Sequence, residues 1–503
     1  MCKASLLRWA SRGLAAPALL WAVAPSAHAA ALSAEPTVTP PIWLVAPFVV
    51  LLLLIATGPL FFPHHWHRHY PKYAVGLGAV VALYYVVALE APMAVFYAVE
   101  EYLSFLALVA ALFVAASGIY VHLNARGRPL TNVAVLAVGA VLANVVATTG
   151  AAMLLIRPFL NLNRGRLRPY HVVFFIFIVA NVGGALTPIG DPPLFLGFLR
   201  GVPFFWTLAN VWYVWLPTVA LLLGVFYVFD RRNRAEGPPP EAGVPVVRVV
   251  GGRGAVWIAV TVGAVFVDPQ VIPAVPELRL GAAALPFGVR ELVMFAVAVL
   301  AYRTANPEAL RRNEFNVEPI REVGWLFLGI FLSMVPALSL IGSAASAQAD
   351  ALTPGVLFWG TGALSGFLDN APTYLNFLAA SMGSVGLDVG SADAVRLFAE
   401  GGADVGAPGV STGAFLQSIS VAAVFFGAMT YIGNAPNFMV KAIAEGHGTV
   451  SVDDPDGVPH GEVPHGARPP SFAGYLFRYA IPILLPIYAL VWLVLYSPWG
   501  LLS

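Results

Sequence analysis

The sequence has very little charge and almost no cysteine. Asp, Glu, Lys and Arg make up 11% of its 503 residues, against roughly 25% in an ordinary soluble domain. The single cysteine, Cys2, lies in the N-terminal leader described below, whose cleavage would leave no thiol for disulfides, iron-sulfur clusters or thiolate metal sites. The formal net charge is +1, so neither sign is in the excess that would indicate a nucleic-acid partner.

Two missing motifs narrow the functional class further. The chain has no Gly-x4-Gly-Lys-Ser/Thr loop for ATP, which argues against a primary pump unless a partner supplies the nucleotide site. Its predicted membrane segments contain neither paired metal ligands nor a nucleophile with a base, so we do not expect an intramembrane enzyme or a bound cofactor.

Long apolar segments are abundant. Hydrophobic residues make up 59% of the chain, and apolar stretches of about 20 residues recur along it, the length that crosses a hydrocarbon core about 30 Å thick. The predicted fold class is an all-α polytopic membrane protein with two inverted-topology repeats, about 10 transmembrane helices, two re-entrant hairpins and two broken helices. The lipid bilayer of a bacterial inner membrane is the expected environment.

The N-terminus is typical of a cleavable signal peptide over residues 1–29. Three basic residues precede the apolar run 14–23, and Ala27-His28-Ala29 supplies small residues for cleavage. An uncleaved extra span is the alternative. The rest of the chain is predicted to form a first inverted repeat over 30–230, a cytoplasmic linker rich in Arg and Pro over 231–253, and a second inverted repeat over 254–503.

The charge pattern predicts that the segment from Leu130 to Ile156 is a hairpin. Basic residues flank both of its ends, and positive charge marks the cytoplasmic side of a membrane segment. A single crossing cannot place both ends inside, whereas a hairpin turning at residues 144–150, with about 12 residues per arm, can. A second hairpin candidate covers residues 355–380. The loop at residues 64–69, rich in histidine, is expected to be a solvated basic loop, with metal binding as the alternative.

Two further segments, 171–200 and 413–443, are interrupted by Gly and Pro and share a motif. Thr187-Pro188-Ile189-Gly190-Asp191-Pro192-Pro193-Leu194-Phe195 is echoed by Thr430-Tyr431-Ile432-Gly433-Asn434-Ala435-Pro436-Asn437-Phe438. Broken helices at corresponding positions of inverted repeats indicate a transport site at the membrane midplane. The alternative is that the glycines and prolines only kink helices while Asn and Thr bond between them.

The predicted ion- or substrate-binding residues come from the two breaks and the two hairpins. They are Asn144, Thr148, Thr149, Thr187, Gly190, Asp191, Asp369, Asn370, Thr373, Thr430, Gly433 and Asn434. Carboxylate, amide and hydroxyl oxygens are hard ligands. A Na+ site is predicted to draw on Asn144, Asp191, Asp369, Asn370 and Asn434.

Asp191 and Asp369 are the carboxylates that the sequence places deep in the membrane. Such a buried ionisable group is costly and is a functional hypothesis by default. A proton and a metal cation would compete for the same carboxylate, which is a physical route to antiport. The alternative is that either Asp caps the N-terminus of a half-helix.

The string Ala180-Asn181-Val182-Gly183-Gly184-Ala185-Leu186-Thr187-Pro188-Ile189-Gly190-Asp191, with Asp369-Asn370 and Thr373, resembles the ion transporter superfamily. That superfamily includes sodium/proton antiporters, arsenite exporters and citrate or dicarboxylate carriers. The resemblance covers most of the mature chain and is strongest to the branch of sodium/proton antiporters and citrate transporters. It implies a scaffold half, a mobile elevator half, hairpin tips near the substrate and often a homodimer.

Two functions follow from these observations and stay open at the level of sequence. The first is sodium (cation)/proton antiport, which needs only the deep carboxylates and a coupling ion, Na+ or H+. The alternative is Na+- or H+-coupled symport of citrate or another di- or tricarboxylate, in which hairpin amides and helix N-termini would bind the anion. Pro192-Pro193-Leu194 stands where antiporter relatives tend to be polar, which leaves room for the symporter.

Overall fold

The computed structural model describes residues 39–235, 237, 239–268, 272, 274–276, 278–280, 283–284, 287–403, 410–446 and 468–502. The predicted signal peptide over 1–29 lies outside the described residues. The structure is 74% helical with almost no sheet. The all-α prediction is therefore confirmed.

The helices follow one another with short connections. Up to residue 231 they are α1 Ala46–Phe61, α2 Pro63–Val87, α3 Pro92–Ser117, α4 Pro129–Leu162, α5 Pro169–Ile178, α6 Pro192–Arg200 and α7 Trp206–Arg231. Beyond it they are α8 Arg253–Val265, α9 Val289–Thr304, α10 Pro307–Arg312, α11 Glu318–Ser346, α12 Pro354–Ser365, α13 Asn370–Ser384, α14 Ala392–Ala399, α15 Thr412–Phe426, α16 Ala435–Gly446, α17 Phe472–Tyr475 and α18 Ile481–Leu495. The strands are β1 Tyr120–Leu123, β2 Val247–Val250, β3 Arg279–Leu280 and β4 Ala283–Ala284.

Nine helices in the described part of the chain are long and apolar enough to cross a membrane, judged by length and composition. The protein is therefore a multi-pass membrane protein. Helices α8 and α9 are shorter, with 13 and 16 residues, and they are needed to reach the predicted total of about 10 transmembrane helices. Their crossing of the membrane stays a prediction.

The prediction that residues 64–69 form a loop is wrong, because these residues are helical. Helix α2 begins at Pro63, directly after the non-helical Phe62 with φ −137° and ψ 52°. Proline favours the first turn of a helix, where its missing N–H has no acceptor to serve. The histidines therefore occupy the first two turns of α2.

Helix α4 folds back on itself and is a hairpin, as the charge pattern predicts. Its one non-helical residue is Ala147, with φ 63° and ψ 160°. The side chains of Asn132 and Asn163, 31 positions apart, exchange two hydrogen bonds of 2.8 Å. A straight helix would separate them by roughly 46 Å at 1.5 Å per residue. The two asparagines therefore close the base of the first hairpin, and the tip lies at residue 147.

Helices α12 and α13 form the second hairpin. A Cβ atom built on Gly360 of α12 would lie 3.0 Å from the ring of Phe377 of α13, so the two arms touch. The tip runs over residues 366–369, and α13 begins where the carboxylate of Asp369 accepts a hydrogen bond of 3.0 Å from the backbone N–H of Ala371. This tip is longer than that of the first hairpin.

Both predicted broken helices are broken at matching positions. Helix α5 ends at Ile178 and α6 starts at Pro192, while α15 ends at Phe426 and α16 starts at Ala435. A Cβ atom on Gly190 would lie 2.0 Å from the carbonyl oxygen of Gly184. One on Gly433 would lie 2.7 Å from that of Gly427, which is the same contact in the repeat register. Only glycine fits backbones this close.

The linker predicted over 231–253 contains a strand that the sequence reading missed. Strand β2 pairs antiparallel with β1, with Tyr120 opposite Val250 and Leu123 opposite Val247. Valine is a strong strand former, and β2 is three-quarters valine by sequence. The pairing of β2 with β1 holds the linker next to the C-terminal end of α3.

A buried polar cluster holds the base of the first hairpin against α7. Asp230 of α7 is fully buried and accepts hydrogen bonds from Arg166 at 2.8 and 3.1 Å, from Tyr170 at 2.7 Å and from Asn132 at 2.8 Å. Every charge in such a cluster needs its partner, because an unpaired ion away from water is costly.

We expect Asp230→Ala to lower the free energy of unfolding by about 3–5 kcal/mol, because it leaves the guanidinium of Arg166 buried without its counter-charge. Thermal unfolding of the purified protein in detergent measures this. Glu400→Ala is the matched control, since Glu400 forms an exposed pair with Arg396 and such pairs contribute about 0–1 kcal/mol. Equal losses in the two variants would contradict the role of the cluster.

Candidate functional site

The two hairpins and the two breaks meet at the carboxylate of Asp191. The hydroxyl of Thr148, in the first hairpin, donates to Asp191 Oδ1 at 2.8 Å. The amide of Asn434, in the second break, donates to the same oxygen at 3.0 Å. The amide of Asn370, in the second hairpin, donates to Oδ2 at 2.5 Å. One side chain from each of the four predicted motifs is therefore in direct contact.

Asp191 is buried, its hydrogen-bond donors are neutral, and the carboxylate of Asp369 is near enough to repel its charge. The residue is 1% exposed, and the three side-chain donors that the structure gives it are one hydroxyl and two amides. Asp191 occupies the position before α6, but its carboxylate makes no capping hydrogen bond there and points instead at the other motifs. Hydrogen bonds stabilise a buried carboxylate only in part. A bound proton or metal cation would neutralise it.

Asn370 has an oxygen that no donor in the described residues satisfies. The residue is fully buried, its Nδ2 donates to Asp191, and its Oδ1 has no hydrogen-bond partner among the described residues. Buried amide oxygens are ordinarily paired, so this one is available to a cation beside the carboxylate. Rotating the amide by half a turn would let Oδ1 accept a proton from a protonated Asp191.

The two threonines of the breaks hold their segments in equivalent ways. Thr187 donates to the carbonyl of Asn144 in the first hairpin at 2.6 Å, and Thr430 donates to the carbonyl of Gly366 in the second at 2.7 Å. Each hydroxyl also accepts from the N–H three residues on, that of Gly190 at 3.2 Å and that of Gly433 at 3.1 Å. Both threonines therefore join a break to a hairpin tip.

Asn144 is wholly engaged in holding the tip of the first hairpin. Its Nδ2 donates to the carbonyls of Ala140 at 3.0 Å and Gly183 at 2.7 Å, and its Oδ1 accepts from the N–H of Leu186 at 2.8 Å. The backbone N–H of Thr148 donates to the carbonyl of Gly190 at 2.8 Å. These bonds position Thr148 against Asp191.

Among the predicted site residues, three are hydrogen-bonded to Asp191. Asp369, Thr373 and Thr149 are among those that are not. Asp369 is partly buried and caps α13 through the N–H of Ala371, and Thr373 donates to the backbone carbonyl of Asp369 at 3.0 Å. Thr149 lines a cavity next to Asp191. The contacts of Asp369 agree with the alternative in which its carboxylate caps the N-terminus of a helix.

Two asparagines that were not among the predicted site residues connect the two breaks. Asn181 donates to Asn437 Oδ1 at 2.6 Å, and Asn437 donates to the carbonyls of Gly427 at 2.8 Å and Thr430 at 2.9 Å. Both are fully buried. The available signal was that Asn437 lies inside the matched string 430–438 and Asn181 lies six positions before the string 187–195, each an amide among apolar and small residues.

A cavity of about 30 Å³ lies beside Asp191, between helix α3 and the first hairpin. Phe105, Leu108, Val109, Leu112 and Phe113 form the α3 wall. The opposite wall includes Thr149 and Asp191. A volume of this size holds one or two waters or a small ion. It is far too small for citrate, so the site is closed in this conformation.

The histidines of α2 are exposed at the protein surface. The rings of His65 and His69 stack with centroids 4.4 Å apart, and His65 Nε2 lies 2.8 Å from the hydroxyl of Tyr73. Among the described residues, no group of three or more His, Cys, Asp or Glu side chains is arranged to hold a metal ion.

Comparison with known families gives one match over nearly the whole chain. A family model described as "Putative citrate transport" matches residues 37–496. The match includes both hairpins, both breaks and every residue in contact with Asp191. No curated protein matches the chain.

Proposed function

This chain belongs to the family described as putative citrate transport, and from that premise we propose that it is a secondary active transporter of the bacterial inner membrane that exchanges Na+ for protons at Asp191. The family match supports a transporter rather than an enzyme. The choice of ions comes from the chemistry of the site.

The observation that carries this proposal is a buried carboxylate with only neutral donors. A charged Asp191 surrounded by Thr148, Asn370 and Asn434 has no counter-ion among its hydrogen-bond partners. Charge burial at membrane depth is costly, so the carboxylate gains stability from either a proton or Na+. The two ligands exclude one another because each neutralises the same group, and this exclusion is the basis of exchange.

The second candidate is symport of citrate with Na+ or H+, and the family match favours it. The N-termini of α6 and α13 lie at Asp191 and Asn370, and the positive end of a helix dipole favours an anion. Because Pro192, Pro193 and Pro372 carry no N–H, the helix dipoles rather than a row of N–H donors would attract citrate. A cation on Asp191 would then offset the charge of the arriving anion. In this reading the closed cavity must open before citrate can enter.

The experiment reconstitutes the purified protein in liposomes that contain a pH-sensitive dye and imposes a Na+ gradient, with and without citrate. Exchange predicts a pH change driven by Na+ alone. Symport predicts a response that depends on citrate. Absence of any response with either solute, in vesicles shown to contain folded protein, would refute both candidates.

A further inference from the structure

The described helices around Asp191 form two groups that face each other across the cavity. We call residues 129–200, 354–403 and 410–446 the site body, because hydrogen bonds through Asp191 and Asn181 join its two hairpins and two breaks. We call α3 the wall. Phe105 of the wall stacks on Phe327 of α11 with ring centroids 4.4 Å apart, which attaches the wall to helices outside the site body.

One ion pair joins the wall to the site body close to the cavity. Arg200, the last residue of α6, lies 2.6 Å from Glu101 Oε1 through Nε and 2.9 Å from Oε2 through Nη2. Both side chains are 17% exposed. The Nη2 contact is a hydrogen bond, whereas Nε lies close to Oε1 without hydrogen-bond geometry. One charge-assisted hydrogen bond and one close ionic contact therefore join the two groups in a partly dry setting. Arg200 also donates to the carbonyl of Val389, which follows α13.

Both residues of the ion pair lie close in sequence to residues that line the cavity. Glu101 precedes Phe105 by one helical turn, and Phe105 lines the cavity. Arg200 ends the short helix whose first turn follows Asp191 and contains the cavity-lining Phe195. The pair therefore closes one end of the seam between the wall and the site body.

The other cation described in this region is already paired with other carboxylates. Arg290, whose charge acts on the neighbouring Glu100, is bound to Asp268 at 2.5 Å and to Glu291 at 2.6 Å. Glu291 also accepts from Ser104 of the wall at 2.7 Å. Arg200 is thus the group that balances Glu101.

A second ion pair lies near the other end of the seam, between the site body and the segment before α11, whose Phe315 contacts Phe113 of the wall. This pair is much weaker. Arg157, in the returning arm of the first hairpin, lies 3.1 Å from Glu314. The Glu314 side chain is 79% exposed, and this pair has a single contact. Exposed pairs of this kind contribute little. The two ends of the seam are therefore held unequally.

We propose that the Glu101–Arg200 ion pair is the latch that keeps the site closed at the N-terminal end of α3, and that it must break in each transport cycle. The inference rests on the proposed transport function. Asp191 is almost fully buried, so a transporter that uses it has to separate one of its walls. Buried hydrogen bonds hold the site body together. The wall, in contrast, lines the cavity only with apolar side chains, so it can move away from the cavity without breaking hydrogen bonds there.

The first test links the two elements reversibly. In a Cys2→Ser background, Glu101→Cys and Arg200→Cys are joined with a short bifunctional methanethiosulfonate and released with dithiothreitol. We expect linking to lower Na+- or citrate-driven flux in liposomes at least tenfold and reduction to restore it. Full activity of the linked protein would overturn the latch.

The matched control links two segments that do not have to separate. Val121 and Val249 are direct cross-strand partners in β1 and β2, and their cysteine variants are treated with the same reagent. We expect no change in flux from this link. If it inhibits as strongly as the first, the inhibition is a general effect of cross-linking and the latch is overturned.

A second readout does not depend on transport. Spin labels on Tyr97→Cys of α3 and Leu397→Cys of α14, both exposed positions, report the distance across the seam in lipid nanodiscs. We expect Glu101→Gln to increase the population at longer distances, while Glu400→Gln leaves it unchanged. Identical distributions in all three proteins would refute the latch. Failure of the unlinked protein to transport either solute would count against the proposed function instead.

Discussion

Asp191→Asn is expected to abolish coupled transport while leaving the protein folded. The amide has nearly the shape of the carboxylate but can neither release a proton nor neutralise a cation. We expect the initial rate of Na+-driven pH change in liposomes to fall at least 100-fold, which corresponds to about 2.7 kcal/mol of lost coupling free energy. Gel filtration and thermal unfolding of the purified variant establish that it is folded.

Asp369→Asn is the matched control for that experiment. Asp369 accepts one hydrogen bond from the N–H of Ala371, and asparagine is as good a residue as aspartate at this helix position. We expect transport to stay within about threefold of the unmodified protein, since the cap costs at most about 1 kcal/mol. Equal loss in both variants, or retained transport in Asp191→Asn, would contradict the distinct role of Asp191.

Gly190→Ala is expected to lower stability and abolish transport together. A Cβ atom at this position would lie 2.0 Å from the carbonyl oxygen of Gly184, a backbone atom that cannot rotate away. The Gly190 carbonyl accepts from Thr148, so movement of this backbone would also pull the first hairpin from Asp191. We expect a loss of about 3 kcal/mol, the upper end of the usual cost of overpacking, and no measurable transport.

Gly224→Ala provides the comparison for the same substitution. Gly224 lies in α7, and a Cβ atom there would meet nothing within 4 Å. Alanine is favoured over glycine in a helix by about 1 kcal/mol, so this variant should be unchanged or slightly more stable. Thermal unfolding of both variants in one detergent tests the contrast, and similar stability of the two would show that the break is not tightly packed.

The repeat and the charge pattern predicted the hairpins and the helix breaks around Asp191. Basic residues at both ends of one apolar segment required a hairpin, and its tip at Ala147 lies within the predicted turn. The matched strings around Gly190 and Gly433 predicted two breaks in helices, and the structure has both. These features follow from backbone chemistry and topology, which a sequence expresses directly.

The sequence did not distinguish Asp191 from Asp369. Both precede a short helix, yet one carboxylate receives three donors from other motifs and the other caps its own helix. That difference depends on the rotation of each helix and on side-chain torsions, which residue spacing does not fix.

The sequence also did not predict contacts between polar residues that are far apart along the chain. Arg166 and Asp230 are separated by 64 positions, and Asn181 and Asn437 by 256. Each residue alone is an ordinary polar side chain near a helix end or a glycine. Only the fold brings the partners together, and no periodicity in the sequence connects them.

The central claim is that Na+ and a proton compete for Asp191, and Na+ binding measured as a function of pH tests it most directly. Calorimetry on the purified protein should give a Kd for Na+ that weakens as the pH falls, approaching tenfold per pH unit, with one proton released for each Na+ bound. Asp191→Asn should lack this dependence. A Kd that does not change with pH, or that changes equally in the variant, would contradict the claim.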